Sequence, residues 1–281
     1  MCEHCGCSQP SGFSVTGPEP GQAVHWHTHT DAHGRVYAHA HPDRPGHTHT
    51  HDAHAHDPAA AHSRAIAAAE SVLAHNLKLA AENRALFKAK EITAVNLVSS
   101  PGAGKTTLIE ATLDRLRNKV RCAVIVGDLA TQRDAERIRK HGVQAVQVTT
   151  GTVCHLDAQM VAAALEQLHL DGLELLFIEN VGNLVCPASY DLGEDVRVVL
   201  LPVTEGEDKP LKYPPIFHTS AAVVITKTDL AAPAGFDINA ARANIARVAP
   251  HARVIELSAR SGSGMDAWIE FLEKFLHKQR H

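Results

Sequence analysis

The sequence has no run of apolar residues approaching the ~20 that cross a bilayer, so no membrane contact is expected. It does not open with the basic and apolar pattern of a secretory signal, which points to the cytoplasm. Nor is there a basic patch of the kind that grips nucleic acid: 27 Lys and Arg stand against 31 Asp and Glu. There are only six cysteines, three of them crowded into Cys2, Cys5 and Cys7, a distribution that suits metal ligation in a reducing compartment better than a disulfide framework. Residues 1–61 contain few large apolar side chains and many Pro and Gly, so this stretch cannot bury a core.

Histidine, by contrast, is abundant. Of 21 in the chain, twelve fall between His25 and His62, in HWHTHT, HAHP and HTHTHDAHAH. An extended chain of this kind can offer several imidazoles to one divalent ion or hold several ions loosely. Imidazole binds metal only when neutral, so mild acid should release the metal. Ahead of these lies MCEHCGC, where Cys2, Cys5 and Cys7 supply thiolates and His4 or the amino terminus a fourth donor. That set suits planar Ni(II) or tetrahedral Zn(II), and the sequence leaves the choice open. We therefore expect a Cys/His-rich metal-binding tail over residues 1–61, largely disordered, and one domain over residues 62–281.

The domain is announced by a change of pattern. An Ala- and Leu-rich helix is expected over residues 63–90, with Ile66, Leu73, Leu77, Ala80, Ala81 and Leu86 near helical spacing. Strands follow at 92–98, 122–126, 145–148, 175–178, 196–203, 222–225 and 253–256. Helical patterns separate them at 107–117, 134–140, 156–168 and 239–248. This alternation specifies an α/β fold, a mostly parallel sheet with helices on both faces. Ligands of such sheets bind outside the carboxyl ends of the strands, and the chemically conspicuous residues all follow strands.

NLVSSPGAGKTT, at residues 96–107, runs from a strand through a glycine-rich turn into a helix, the arrangement of a phosphate-binding loop. Gly102, Ala103, Gly104, Lys105, Thr106 and Thr107 would surround the phosphates, with Lys105 on the β- and γ-phosphates and the Thr106 hydroxyl on Mg²⁺. The pattern asks for glycine where Ser99 stands. Asp128 and Glu179 each close a strand and could serve Mg²⁺ directly or through water, with Asp134 as a second choice. Asn180-Val181-Gly182 then forms a turn able to sense the γ-phosphate.

The base is read from TKTDL. A carboxylate at Asp229 accepts from guanine N1–H and the exocyclic amine while the Lys227 stem covers the ring, which favours GTP. Thr226 stands where that pattern usually has Asn, and Ser258 and Ala259 present backbone N–H groups to the base from the next loop. On the same rim, Cys154 and His155 precede a helix expected from residue 156, whose N-terminus would make Cys154 partly thiolate. Cys186 follows Glu179 by a short loop. Three donors leave such a site incomplete without a partner chain or water. Cys122, within a strand, reads as a core thiol.

These motifs together closely resemble the HypB family, the nickel-insertion GTPases of hydrogenase maturation, and less closely the UreG family of urease maturation. MCEHCGC is similar to the family's high-affinity nickel motif and the His-rich tail to its variable storage segment. SSPGAGKTT, VGDLATQRDAERI, TTGTVCHLD, ENVGNLVCPASYDLGE and TKTDL resemble its successive GTPase motifs. Cys-His at 154 and 155 with Cys186-Pro187 departs from the Cys-Pro-His of UreG. The resemblance implies a GTPase that dimerises with GTP and holds nickel or zinc on Cys154, His155 and Cys186 near the dimer interface. It also implies a HypA-type nickel chaperone and a hydrogenase large-subunit precursor as partners. No residue resembles a glutamine that positions water, so turnover should be slow, with Lys105 and Asp128 at the reacting end.

Overall fold

The computed structural model describes residues 24–30, 36–42, 58–129 and 133–278. Cys2, Cys5 and Cys7 lie outside the described residues. The chain divides into two units, one within residues 8–67 and the other taking in residues 68–278.

In the first unit, β1 (Val24–Thr30) and β2 (Val36–Pro42) pair antiparallel, Val24 opposite Pro42 and Thr30 opposite Val36. The sequence pattern assigned no element here. Thr and Val, at home on a pleated ladder, punctuate the histidines.

Among helices of seven residues or more, α1 (Pro58–Ala89) begins with proline, tolerated where no intrahelical N–H bond is needed. Its seat on the second unit is not the leucine stripe read from the sequence, since Leu77 is 57% exposed. The face that docks is Asn76, Ala80, Asn83 and Phe87, all buried and spaced by one helical turn. Asn83 Nδ2 donates to the carbonyls of Ala158 (2.9 Å) and Leu192 (3.1 Å). Asn76 donates to Asp191 O and accepts from Ala158 N, both at 2.8 Å.

The second unit carries β3 (Thr93–Val98), β4 (Cys122–Asp128), β5 (Gln144–Thr149), β6 (Leu175–Glu179), β7 (Val196–Pro202), β8 (Ala222–Thr226) and β9 (Arg253–Glu256). They form one sheet in the order β5-β4-β6-β3-β7-β8-β9, parallel at every pairing. The helices are α2 (Lys105–Leu116), α3 (Arg133–Arg139), α4 (Ala158–Leu165), α5 (Ile238–Val248) and α6 (Met265–Lys278). Crossovers cover both faces, so β3, β6 and β8 are buried along their whole length, as near-continuous apolar strands require. One face packs Leu108, Leu113 and Trp268, with Trp268 Nε1 donating to Thr112 Oγ1 at 2.9 Å. The other packs Phe87, Leu156 and Val161.

From β3 the chain runs to β4 and β5 on one side and later to β7, β8 and β9 on the other. The order therefore reverses at β3, and the crevice at such a reversal is where doubly wound sheets bind ligands.

Candidate functional site

The loop leaving β3 occupies that crevice. Gly102 (φ 72°) and Gly104 (φ 97°) take left-handed backbone, which L side chains resist, so the turn depends on both. Ser99, in place of the first glycine, is fully buried; its Oγ accepts from Lys105 Nζ at 3.0 Å and donates to Ser100 O at 2.7 Å. The substitution thus holds the lysine rather than breaking the loop. Burial lowers the Lys105 pKa, opposed by the carboxylates of Glu179, Asp134, Asp128 and Glu205.

Thr106 Oγ1 donates to Glu179 Oε1 at 2.7 Å. Burial pushes the Glu179 carboxyl up to about 7, against the pull of Lys105 and Thr106. Its second oxygen, Oε2, is buried with no protein partner. A hydroxyl beside a carboxylate with one orphaned oxygen is the hard-oxygen set that Mg²⁺ prefers, so these residues fit that ion. Asp128 ends β4 on the same cavity of about 410 Å³, accepting from Leu129 N at 2.6 Å. Asp134 also lines it, paired with Arg137 at 3.1 Å; Arg137 in turn reaches Glu110 of α2 at 2.5 Å.

A second cavity, of about 310 Å³, adjoins through Gly104 and Thr107 and is lined by Ala103, Lys227, Asp229, Ser258 and Ala259. Thr226 Oγ1 donates to Ala103 O at 2.9 Å, so the residue standing where the pattern usually has Asn ties the turn after β8 directly to the phosphate loop. Lys227 sits in left-handed backbone (φ 59°), which turns the chain sharply at the end of β8. All the nucleotide residues read from the sequence line one or other of these two cavities.

The third feature is sulfur and imidazole. Cys154 Sγ and Cys186 Sγ stand 3.0 Å apart without a disulfide, and with His155 their ligand atoms all fall within 4.8 Å of one another. It is the one such donor group among the described residues outside which no other is found. The His155 ring is 3% exposed and lies 3.9 Å from the Tyr190 ring. Burial lowers its pKa, favouring the neutral form that ligates metal, and its Nδ1 has no hydrogen-bond partner. One expectation is corrected: Cys154 does not open a helix. α4 begins at Ala158, with Asp157 accepting from Met160 N at 2.8 Å, so the helix-terminus argument for its thiolate falls. Cys122 is a core thiol, pushed up to about 12 by burial.

Sequence reasoning missed Arg137, Tyr190 and Glu205, whose carboxylate accepts from Ser100 of the phosphate loop. Glu205 is 105 residues from Ser100, and nothing local signals the contact.

The fold and this rim define a P-loop nucleotide-binding protein carrying a thiol–imidazole cluster able to hold a metal ion. Residues 93–256 match the family model described as CobW/HypB/UreG, nucleotide-binding domain. The chain belongs to that family and, within it, to the HypB hydrogenase maturation factors. It is 53% identical to hydrogenase maturation factor HypB of Azotobacter chroococcum mcd 1, covering 79% of this chain and 73% of that one. Against the HypB of Escherichia coli strain K12 the identity is 51%, over 79% and 77%. The crystal structure of HypB from Helicobacter pylori in complex with nickel aligns at a TM-score of 0.70 and 38% identity, covering 73% of this chain and 96% of that one. HypB from Archaeoglobus fulgidus aligns at 0.69 and 41%, over 72% and 99%. No helix among the described residues is long and apolar enough to cross a membrane.

Proposed function

We propose that this chain is a GTP-hydrolysing nickel metallochaperone that binds Ni(II) and supports its insertion into the [NiFe] hydrogenase large-subunit precursor. The observation that carries the reading is one rim holding both a phosphate loop and the Cys154, His155 and Cys186 donors. Residue roles follow from chemistry. Backbone N–H groups from Gly102 to Thr107 cradle the phosphates, and Lys105 meets the β- and γ-oxygens. Thr106, Asp128 and Glu179 hold Mg²⁺, which when bound neutralises charge on the phosphates. Asp229 and Lys227 select guanine, with Ser258 and Ala259 against the base edge.

Water adds to the γ-phosphorus as the bond to the bridging oxygen breaks, and GDP leaves with the electron pair. With no glutamine to orient the water, turnover is slow, as befits a switch. Cys186 lies seven residues beyond Glu179 in the same segment, so loss of the γ-phosphate moves a metal ligand and changes nickel affinity. The rim site has three donors and is completed by water or a second copy in a GTP-bound homodimer; Zn(II) fits the same donors. A HypA-type nickel chaperone and the hydrogenase precursor are the partners, and Cys2, Cys5 and Cys7 form a further nickel site beside the histidine-rich tail.

The test is Ni(II) titration in GDP and in a non-hydrolysable GTP analogue, with oligomer mass followed alongside. Nucleotide-dependent affinity is expected, together with GTP turnover that Lys105→Ala abolishes. ATP hydrolysed in preference to GTP, or nickel binding unchanged by Cys154→Ser and Cys186→Ser in a chain also lacking residues 1–57, would overturn it.

A further inference from the structure

Cys186 is joined to the nucleotide side covalently, but Cys154 and His155 come from the other side of β6, on the loop after β5. The question is what links them to the same event.

The segment leaving β6 is packed hard against the phosphate loop. Glu179 accepts from Thr106, and a Cβ on Gly182 would come within 2.8 Å of the Pro101 backbone, so backbone meets backbone there. Between these two contacts lies Asn180, 1% exposed. Its N–H donates to Leu97 O of β3 at 3.0 Å. Its side-chain oxygen accepts twice, from Val181 N in its own segment and from Leu156 N, both at 3.0 Å. Its Nδ2 donates to Asn96 Oδ1 at 3.4 Å. Leu156 directly follows His155. Both lone pairs of one amide oxygen are thus spent, one on the nucleotide-facing turn and the other on the backbone of the Cys154–His155 loop.

We infer that Asn180 is a positioning residue that ties the Cys154–His155 loop to the turn facing the γ-phosphate, so that both arms of the metal site follow nucleotide state. The inference rests on the proposed nucleotide-coupled nickel carrier and names the connection within it. A turn that shifts when the γ-phosphate is lost cannot keep Val181 N and Leu156 N on one oxygen in their present geometry. The Leu156 bond loosens and His155 is released from its position opposite Cys186.

The experiment uses the full chain with Cys2→Ser, Cys5→Ser and Cys7→Ser, so that sulfur-to-nickel charge-transfer absorption reports the rim thiolates alone. Ni(II) affinity is measured in GDP and in a non-hydrolysable GTP analogue. The parent should differ between the two states by roughly fivefold or more, and Asn180→Ala should cut that ratio to about half or less, leaving only the part carried by Cys186. An Asn180→Ala protein that keeps the parental ratio overturns the inference and leaves the carrier reading intact. A parent with equal affinity in both states overturns the carrier reading and the inference with it. Amide hydrogen exchange at Leu156 in the parent gives a reading that needs no variant at this position. Protection that changes between the two nucleotide states supports the tie, and equal protection overturns it.

Discussion

At the scale of single residues, the site works by burying groups that would rather be in water. Glu179 shows this most sharply, because burial raises its carboxyl to about 7 from an ordinary 4.5. As pH rises from 4.5 to 7 the unfolded chain gives up this proton before the folded chain does. The stability supplied by the neutral carboxyl is therefore present below about 4.5 and lost as pH climbs through 7, at up to ~1.4 kcal/mol per pH unit. In nucleotide-free and magnesium-free buffer, Glu179→Gln should flatten that slope and raise the melting temperature at pH 8. An unchanged slope in melting curves from pH 5 to 8 would rule this out. Thr226 gives a second prediction. Thr226→Val removes the hydroxyl tie and leaves Ala103 O buried without its donor, costing about 1–3 kcal/mol, while Thr226→Asn should recover most of the loss. Guanine nucleotide affinity should follow the same order in a fluorescent GDP titration.

At the scale of elements, α1 illustrates how a helix can be seated by amides. Asn83 alone serves two buried carbonyls, that of Ala158 at the start of α4 and that of Leu192 in the loop before β7, and Gly193 beside it leaves no room for a Cβ, which would meet Ala80 O at 2.6 Å. Asn83→Ala takes this donor from both carbonyls and should cost about 1–3 kcal/mol in urea denaturation, whereas exposed Leu77→Ala should stay within about 0.5 kcal/mol. The reverse order would restore the leucine stripe as the docking face. Periodicity could not distinguish them, because in an Ala-rich helix the apolar positions surround the axis and the deciding contacts are hydrogen bonds to loops more than a hundred residues away, such as Asp191 and Leu192. The sheet elements were legible because each strand has an apolar, β-branched or aromatic centre. All seven strands fall within two residues of the positions read from the sequence, and α4 differs because its Asp157 cap, accepting from Met160 N, holds back the start to Ala158.

At the scale of the molecule, the reversal of strand order at β3 gathers residues 99–107, 128, 154–155, 179–186 and 226–229 onto one rim. Removing residues 1–57 should lower the number of Ni(II) ions bound while leaving GDP affinity within about twofold, a difference that calorimetry with each ligand would read. Loss of GDP affinity on the same truncation would instead make the first unit part of the nucleotide domain.

By itself the sequence determined the order of strands and helices, the phosphate loop, the place of TKTD at the end of a strand and which cysteines and histidine could take metal. Each of these is written in local chemistry: a period, a glycine, a run of donors. Tertiary structure alone decided that Ser99 would hold Lys105, that Thr226 would bind the phosphate loop, and that Cys154 and Cys186 would stand 3.0 Å apart. It also set the Asn180 side-chain oxygen between Leu156 N and Val181 N. The physical reason is that burial and hydrogen-bond satisfaction are properties of the packed chain, fixed by residues far apart in sequence that meet only when the sheet closes.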